Sequence, residues 1–207
     1  MRRVNVLVST APPPSRTERI LAACPPGEEH EFVLLLAAFL LRRRGWDVVY
    51  LGANVPLSQL DATIRLNSPS LVLSISQTLN SAAALSEMAD YVNAQHVPLV
   101  YGGGIFNRSP AITDRIRGYY LGGEIAALPQ VVERLLSRLP PLPNPRPISP
   151  EYQQAMVKFV EKEAFIVASV TQTMQSEQLE PAHLENANVN FSRDIIAALS
   201  LGEIRFL

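Results

Sequence analysis

From Arg19 onward the sequence alternates short strand-like runs with longer helix-like stretches, and this alternation restricts the available folds more than any other feature. The strand-like runs are residues 19–24, 46–51, 71–76, 97–101 and 118–121. The helix-like stretches are residues 30–44, a segment opened by Pro56, a segment capped by Asn80 or Ser81 and running to Tyr91, and residues 124–138. Strands that alternate with helices predict a five-stranded parallel sheet with helices on both faces.

The carboxyl ends of the predicted strands should share one edge of the sheet. Parallel strands joined by helices all point the same way, so the loops that follow them meet there. These loops follow Cys24, Leu51, Ser76, Tyr101 and Leu121. Open α/β sheets bind their ligands at this edge, so functional residues are expected in these loops.

Prolines divide the chain into four predicted segments. Residues 1–18 are an N-terminal tail, residues 19–138 the α/β domain, residues 139–150 a proline-rich linker and residues 151–207 a helical extension. Two apolar stripes at helical spacing run through the extension, namely Met156, Phe159, Ile166, Val170 and Met174, then Leu184, Ala187, Phe191, Ile195 and Leu199. Such faces need cover, which could come from the α/β domain, from a ligand that the extension caps, or from another chain. We favour a second copy of the chain or a helical partner, with capping of a ligand as the alternative.

Composition excludes several classes of partner. The net charge of −1 and the pI near 6.3 argue against a general nucleic-acid surface. The longest apolar stretch, residues 32–41, is half of the roughly 20 residues that a membrane span needs. The single cysteine, Cys24, is interpreted as a buried apolar residue and fits a reducing compartment. We expect a cytoplasmic protein without direct nucleic-acid or membrane binding, and no catalytic triad or carboxylate pair indicates an enzyme.

The loop after the first strand carries the strongest chemical signal. It holds Glu28, Glu29 and His30 where a helix begins. A histidine there can ligate a metal through one ring nitrogen, while the carboxylate of Glu28 accepts a hydrogen bond from the other. The alternative is that both glutamates favour a helix N-terminus and that His30 is a surface residue of the first turn.

Two further loops hold small residues. Ser74 and Thr78 flank the end of the third strand, and their hydroxyls can bond a ligand or simply reflect polarity at a strand end. Residues 102–104 are three glycines that either let a bulky ligand approach the backbone or form a tight turn. No Gly-Lys-Ser/Thr follows them, so this is not a phosphate-binding P-loop.

These motifs together resemble the cobalamin-binding domain family, whose pattern is Asp-x-His-x-x-Gly, then Ser-x-Leu, then Gly-Gly. The sequence is similar at residues 28–33, 74–76 and 102–103, and the residues around them look closest to the domain of MerR-type, B12-dependent light-sensing regulators. The chain departs from the pattern at Glu28, which replaces Asp, at Val33, which replaces Gly, and at Ser76, which replaces Leu.

The resemblance implies a flavodoxin-like (Rossmann-like) fold and a cobalamin cofactor, as adenosyl- or methylcobalamin. His30 would be the lower ligand of cobalt, replacing the cofactor's own base, with Glu28 as its partner. Ser74 and Thr78 would bond the buried base, and Gly102 and Gly103 would leave room for the detached nucleotide tail. Val33, which would crowd the corrin or shift its loop, Ser76 and Gly122 complete the predicted cofactor-binding residues.

Three functions remain open from sequence. The first is a sensory and regulatory module, photoreceptor-like and linked to transcription regulation, in which cobalamin changes assembly with a partner. The second is a corrinoid carrier for a methyltransferase. The third is a flavodoxin-like domain that has lost its cofactor. The similarity to the light-sensing branch favours the first.

Overall fold

The computed structural model describes residues 12–176 and 181–202, so the first eleven residues of the predicted tail lie outside it. Five parallel strands form one sheet: β1 (Arg19–Ala23), β2 (Asp47–Gly52), β3 (Leu71–Ile75), β4 (Leu99–Gly102) and β5 (Tyr119–Tyr120). Their order is β2-β1-β3-β4-β5, which is the flavodoxin-like order. The predicted fold is therefore confirmed.

Helices cover both faces of this sheet. They are α1 (Phe32–Arg43), α2 (Leu57–Asn67), α3 (Leu79–Ala94), the short α4 (Gly104–Arg108) and α5 (Leu128–Ser137). Helices α1 and α5 share one hydrophobic core with alternate residues of the strands. Helices α2 and α3 contact β1, β3 and β4 on the other face.

Two helix starts differ from the prediction. The first helix begins at Phe32 rather than His30, since Glu28 and His30 belong to the preceding turn. The N-cap of α3 is Thr78, not Asn80 or Ser81. The C-terminal end of α1 is as expected, because Gly45 follows it with a left-handed φ of 91°.

The strand order brings two loops together at the ligand edge. Because β1 lies between β2 and β3, the chain leaves β1 toward one side of the sheet and reaches β3 on the other. The loops after β1 and β3 are consequently neighbours at this topological switch point, where open α/β sheets bind ligands.

The rest of the chain forms a separate compact unit. The first unit ends at Pro145 and the second begins at Arg146, inside the predicted linker. In the second unit, α6 (Pro150–Ser176) and α7 (Pro181–Ser200) pack against each other. Phe165 and Phe191 are 75% and 61% exposed. The side chains of Met174, Leu184 and Ala187, from the predicted stripes, lie outside the described residues.

Candidate functional site

Glu28 and His30 form a hydrogen-bonded pair in the loop after β1. His30 Nδ1 lies 2.7 Å from Glu28 Oε1, and the His30 backbone N–H donates to the same oxygen at 2.8 Å. The Glu28 side chain is fully buried, whereas the His30 side chain is 68% exposed. A proton on Nδ1 satisfies the carboxylate and leaves the Nε2 lone pair for a ligand.

The second oxygen of Glu28 is held by the loop after β3. Oε2 accepts hydrogen bonds from the Gln77 backbone N–H and from Ser81 Oγ, both at 2.6 Å. Burial alone would raise the pKa of Glu28, but the hydrogen bonds from Ser81, Gln77 and His30 outweigh it and hold the pKa below its ordinary value. The carboxylate therefore stays ionised and its orientation is fixed.

Ser81 and the Gln77 backbone are site groups that the sequence analysis missed. The sequence marked Ser81 only as a candidate cap, and it does take part in the capping box of α3. Its Oγ accepts from the Thr78 backbone N–H at 3.2 Å, and its own backbone N–H donates to Thr78 Oγ1 at 3.2 Å. The spacing of a capping box was therefore readable from sequence. The contact of Ser81 with Glu28, which is 53 residues away in the chain, could not be predicted from sequence.

Thr78 serves the helix rather than a cavity. Its Oγ1 accepts from the Ser81 backbone N–H at 3.2 Å and lies 3.0 Å from Ser81 Oγ. Thr78 thus positions Ser81, which in turn donates to Glu28. The predicted contact of Thr78 with a buried ligand base stays a prediction that this arrangement does not favour.

A cavity of about 320 Å³ opens at the carboxyl ends of β3, β4 and β5, and its lining includes Gln77, whose backbone N–H donates to Glu28. Its walls come from strand ends on one side and from α1 and α5 on the other. Seven lining residues are aliphatic, namely Val33, Leu36, Ala37, Ile75, Leu121, Ile125 and Leu128. Five are glycines, namely Gly102, Gly103, Gly104, Gly122 and Gly123. The three polar ones are Gln77, Asn107 and Glu124.

The predicted glycines line this cavity for different reasons. Gly103 has φ +124°, and a Cβ there would stand 2.0 Å from the Ser76 carbonyl oxygen, so the backbone itself requires glycine. A Cβ on Gly102 would meet nothing closer than Leu121 Cβ at 3.9 Å, and one on Gly122 would meet nothing within 4 Å. At Gly102 the missing side chain therefore leaves space in the cavity.

Ser74 and Ser76 do not line the cavity. Ser74 Oγ points to Met88 Sδ of α3, 3.7 Å away, whereas its neighbour Ile75 lines the cavity. Successive strand residues point to opposite faces, so the expected contact of Ser74 with a ligand in this cavity does not fit the structure. Ser76 Oγ donates to the Ser81 carbonyl at 3.0 Å inside the protein. Val33 lines the cavity, and its predicted contact with the cofactor stays a prediction.

Cys24, at the end of β1, is buried as predicted. Burial, followed by the nearby charge of Glu28, raises the pKa of its thiol to about 12. The thiol is therefore protonated at neutral pH and is not a nucleophile.

Among residues 12–176 and 181–202, no helix has the length and apolar character needed to cross a membrane.

Residues 18–128 match the family model of the B12 binding domain. Over 105 residues the chain is 33% identical to the HTH-type transcriptional repressor CarA of Myxococcus xanthus, covering 50% of this chain and 35% of that protein. Over 113 residues it is 26% identical to a methanol–corrinoid protein of Methanosarcina barkeri, covering 54% of this chain and 43% of that one. The chain thus spans less than half the length of these relatives.

A solved structure shares the fold. The methanol:cobalamin methyltransferase complex MtaBC from Methanosarcina barkeri superposes with a TM-score of 0.53 at 22% identity, over 63% of this chain and 50% of that chain.

Proposed function

Because the chain belongs to the B12-binding domain family and binds cobalamin, we propose that it holds this cofactor with His30 as the lower ligand of cobalt and with the cofactor's own base detached. The single observation that carries the proposal is the contact between His30 Nδ1 and the buried carboxylate of Glu28. It leaves Nε2 of an exposed imidazole as the ring nitrogen that can bind the metal.

The donor set suits a corrin. A corrin brings most of the ligands of its own cobalt, so the protein would need to supply a single nitrogen. His30 would give that nitrogen, and Glu28, held by Ser81 and Gln77, makes it more basic. When bound, the cofactor would supply a metal centre with an exchangeable ligand.

The cavity suits the detached nucleotide tail. Its volume of about 320 Å³ is at the lower end of small-molecule pockets, about 300–1,000 Å³, so it can hold a base but not a whole corrin. Gly102 leaves space at its wall, and Val33, in place of the family glycine, narrows it. Gln77 connects the pair to the cavity, because its backbone N–H donates to Glu28 and the residue also lines the cavity.

We further propose a regulatory role without catalysis by this chain itself. The similarity to the repressor CarA supports it, as do the exposed apolar residues Phe165 and Phe191 on the helices of the second unit. In this proposal, cobalamin occupancy changes how residues 151–207 assemble with a second copy of the chain or with a helical partner. The cofactor would be adenosylcobalamin or methylcobalamin. In both, light would break the bond between cobalt and the adenosyl or methyl group.

A corrinoid carrier is the second candidate, since the chain also resembles a methanol–corrinoid protein. Light scattering distinguishes a regulator from a carrier when the full chain is measured with and without adenosyl- or methylcobalamin, each in darkness and after illumination. For a regulator, the molar mass of the assembly changes with cofactor and with light. A mass that is the same in all four states contradicts the regulatory proposal and leaves the carrier.

A further inference from the structure

We infer that the cavity selects cobamides by the chemistry of their lower base, and that it prefers an apolar base such as dimethylbenzimidazole or cresol over adenine. The inference rests on the proposed placement of the detached base in this cavity. It goes further in naming which members of the cobamide class the protein accepts.

The chemistry of the walls carries the argument. Seven of the fifteen lining residues are aliphatic, and five more are glycines without side chains. A base of carbon rings and methyl groups loses little by leaving water for such walls and gains from apolar burial. Adenine brings an exocyclic amine and additional ring nitrogens, and each costs free energy when it is buried without a partner.

The polar lining groups are partly engaged elsewhere. Gln77 Oε1 accepts from the Gly104 backbone N–H at 3.0 Å. Asn107 Oδ1 accepts from Tyr120 Oη at 2.7 Å. Each of these amide oxygens therefore has one of its two lone pairs in use, and the third polar lining side chain, the carboxylate of Glu124, is exposed.

The hydroxyls of Ser74, in β3, and of Ser76, directly after it, add no polar group to the cavity wall. Ser74 Oγ lies on the opposite face of the sheet beside Met88, and Ser76 Oγ donates to the Ser81 carbonyl. Neither hydroxyl is among the groups that line the cavity. The part of the wall contributed by the end of β3 is instead Ile75, a hydrocarbon side chain.

Affinities of the full chain for four corrinoids test this: cobalamin, a cresolylcobamide, an adeninylcobamide and cobinamide, which has no base. They are measured by absorption titration and calorimetry. We expect the adeninyl form to bind roughly tenfold to a hundredfold more weakly than the cresolyl form. Lower bases also differ in how readily they dissociate from cobalt. This difference belongs to the cofactor, so it cancels when the affinity ratio of the wild type is compared with that of a variant.

Leu36→Gln places an amide at the cavity wall, and Leu40→Gln places the same amide on the same helix away from the cavity. Leu36→Gln should narrow the ratio of adeninyl to cresolyl affinity by about tenfold, whereas Leu40→Gln should leave it unchanged. Ile125→Gln is a second wall variant should Leu36→Gln fail to fold by circular dichroism.

Each remaining result is informative. Equal affinity of the wild type for the adeninyl and cresolyl forms overturns the inference, as does an unchanged ratio in every folded wall variant. Cobinamide binding as tightly as cobalamin shows that the base is outside the cavity, which overturns the inference and leaves His30 ligation standing. Binding of none of the four defeats the proposed function itself.

Discussion

Glu28 Oε1 lies 2.7 Å from His30 Nδ1, and the carboxylate is fully buried while the imidazole is 68% exposed. The buried member is fixed by the loop after β3, which lies next to the loop after β1 in the strand order. The fold therefore presents one oriented histidine at the edge of the sheet. Its partner, the carboxylate of Glu28, is held in place by hydrogen bonds from a different loop.

Two serine variants test which hydroxyl supports the site. Ser81→Ala removes a donor to the buried carboxylate of Glu28, so we expect cobalamin to bind about tenfold more weakly, or about 1.4 kcal/mol. Ser74→Ala is the matched control, because Ser74 Oγ faces Met88 on the other side of the sheet. Equal losses in absorption titrations of the two variants would contradict the arrangement.

The two motif glycines should respond differently to substitution. Gly102→Leu directs a side chain into the cavity without a backbone clash, so the fold should survive while cobalamin binding is lost. Gly103→Ala combines φ +124° with a clash against the Ser76 carbonyl, so it should destabilise the protein by about 1–3 kcal/mol or more. Thermal unfolding and cofactor titration of both variants measure this. Normal cobalamin binding by a folded Gly102→Leu would exclude the tail from the cavity.

The sequence predicted the five strands within a few residues because each is a short run of β-branched and apolar residues bounded by turn formers. The cofactor and its family were also predictable, since three separated motifs agree in order and spacing. His30, Glu28, Val33 and the glycines were found at the expected edge for that reason.

Sequence could not show which way Ser74 points. All five residues of β3 are buried, so the strand lacks the alternation of polar and apolar residues that identifies a face. It could not show the contact between Ser81 and Glu28 either, because this contact depends on the strand order rather than on local spacing. The start of α1 was predicted two residues early, at His30, whereas the helix begins with the apolar run at Phe32 and Glu31 is its N-cap residue.

Acid should weaken the support that Glu28 provides. Its pKa in the folded protein lies below the ordinary value of about 4.5, so its ionised form stabilises the fold above that value, and this stabilisation disappears as the pH falls through the folded pKa. We expect wild type to exceed Glu28→Gln in free energy of unfolding at neutral pH, with the difference shrinking in acid. Urea unfolding over a pH series measures it, and a difference that stays constant with pH would contradict the assignment.

Removal of the second unit should separate assembly from cofactor binding. The ligand pair and the whole cavity lie within the first unit, so a chain that ends at Pro145 should still bind cobalamin. If the exposed apolar residues of α6 and α7 pair copies of the chain, the full chain is a dimer and the truncated chain a monomer in light scattering.

The double variant Phe165→Ser, Phe191→Ser tests the same pairing without shortening the chain. It removes the two most exposed aromatic side chains of these helices. It should also be monomeric. A full-length wild type that is monomeric with and without cobalamin would contradict the pairing.

Whether His30 binds cobalt can be read from the electron paramagnetic resonance spectrum of bound cob(II)alamin. Protein labelled with nitrogen-15 histidine is combined with unlabelled cofactor. The account predicts that the superhyperfine triplet from the axial nitrogen becomes a doublet. Because the chain has three histidines, His30→Ala must lose this signal and His96→Asn must keep it. A triplet that persists in the labelled wild type would show that the cofactor's own base stays on cobalt and would contradict the account.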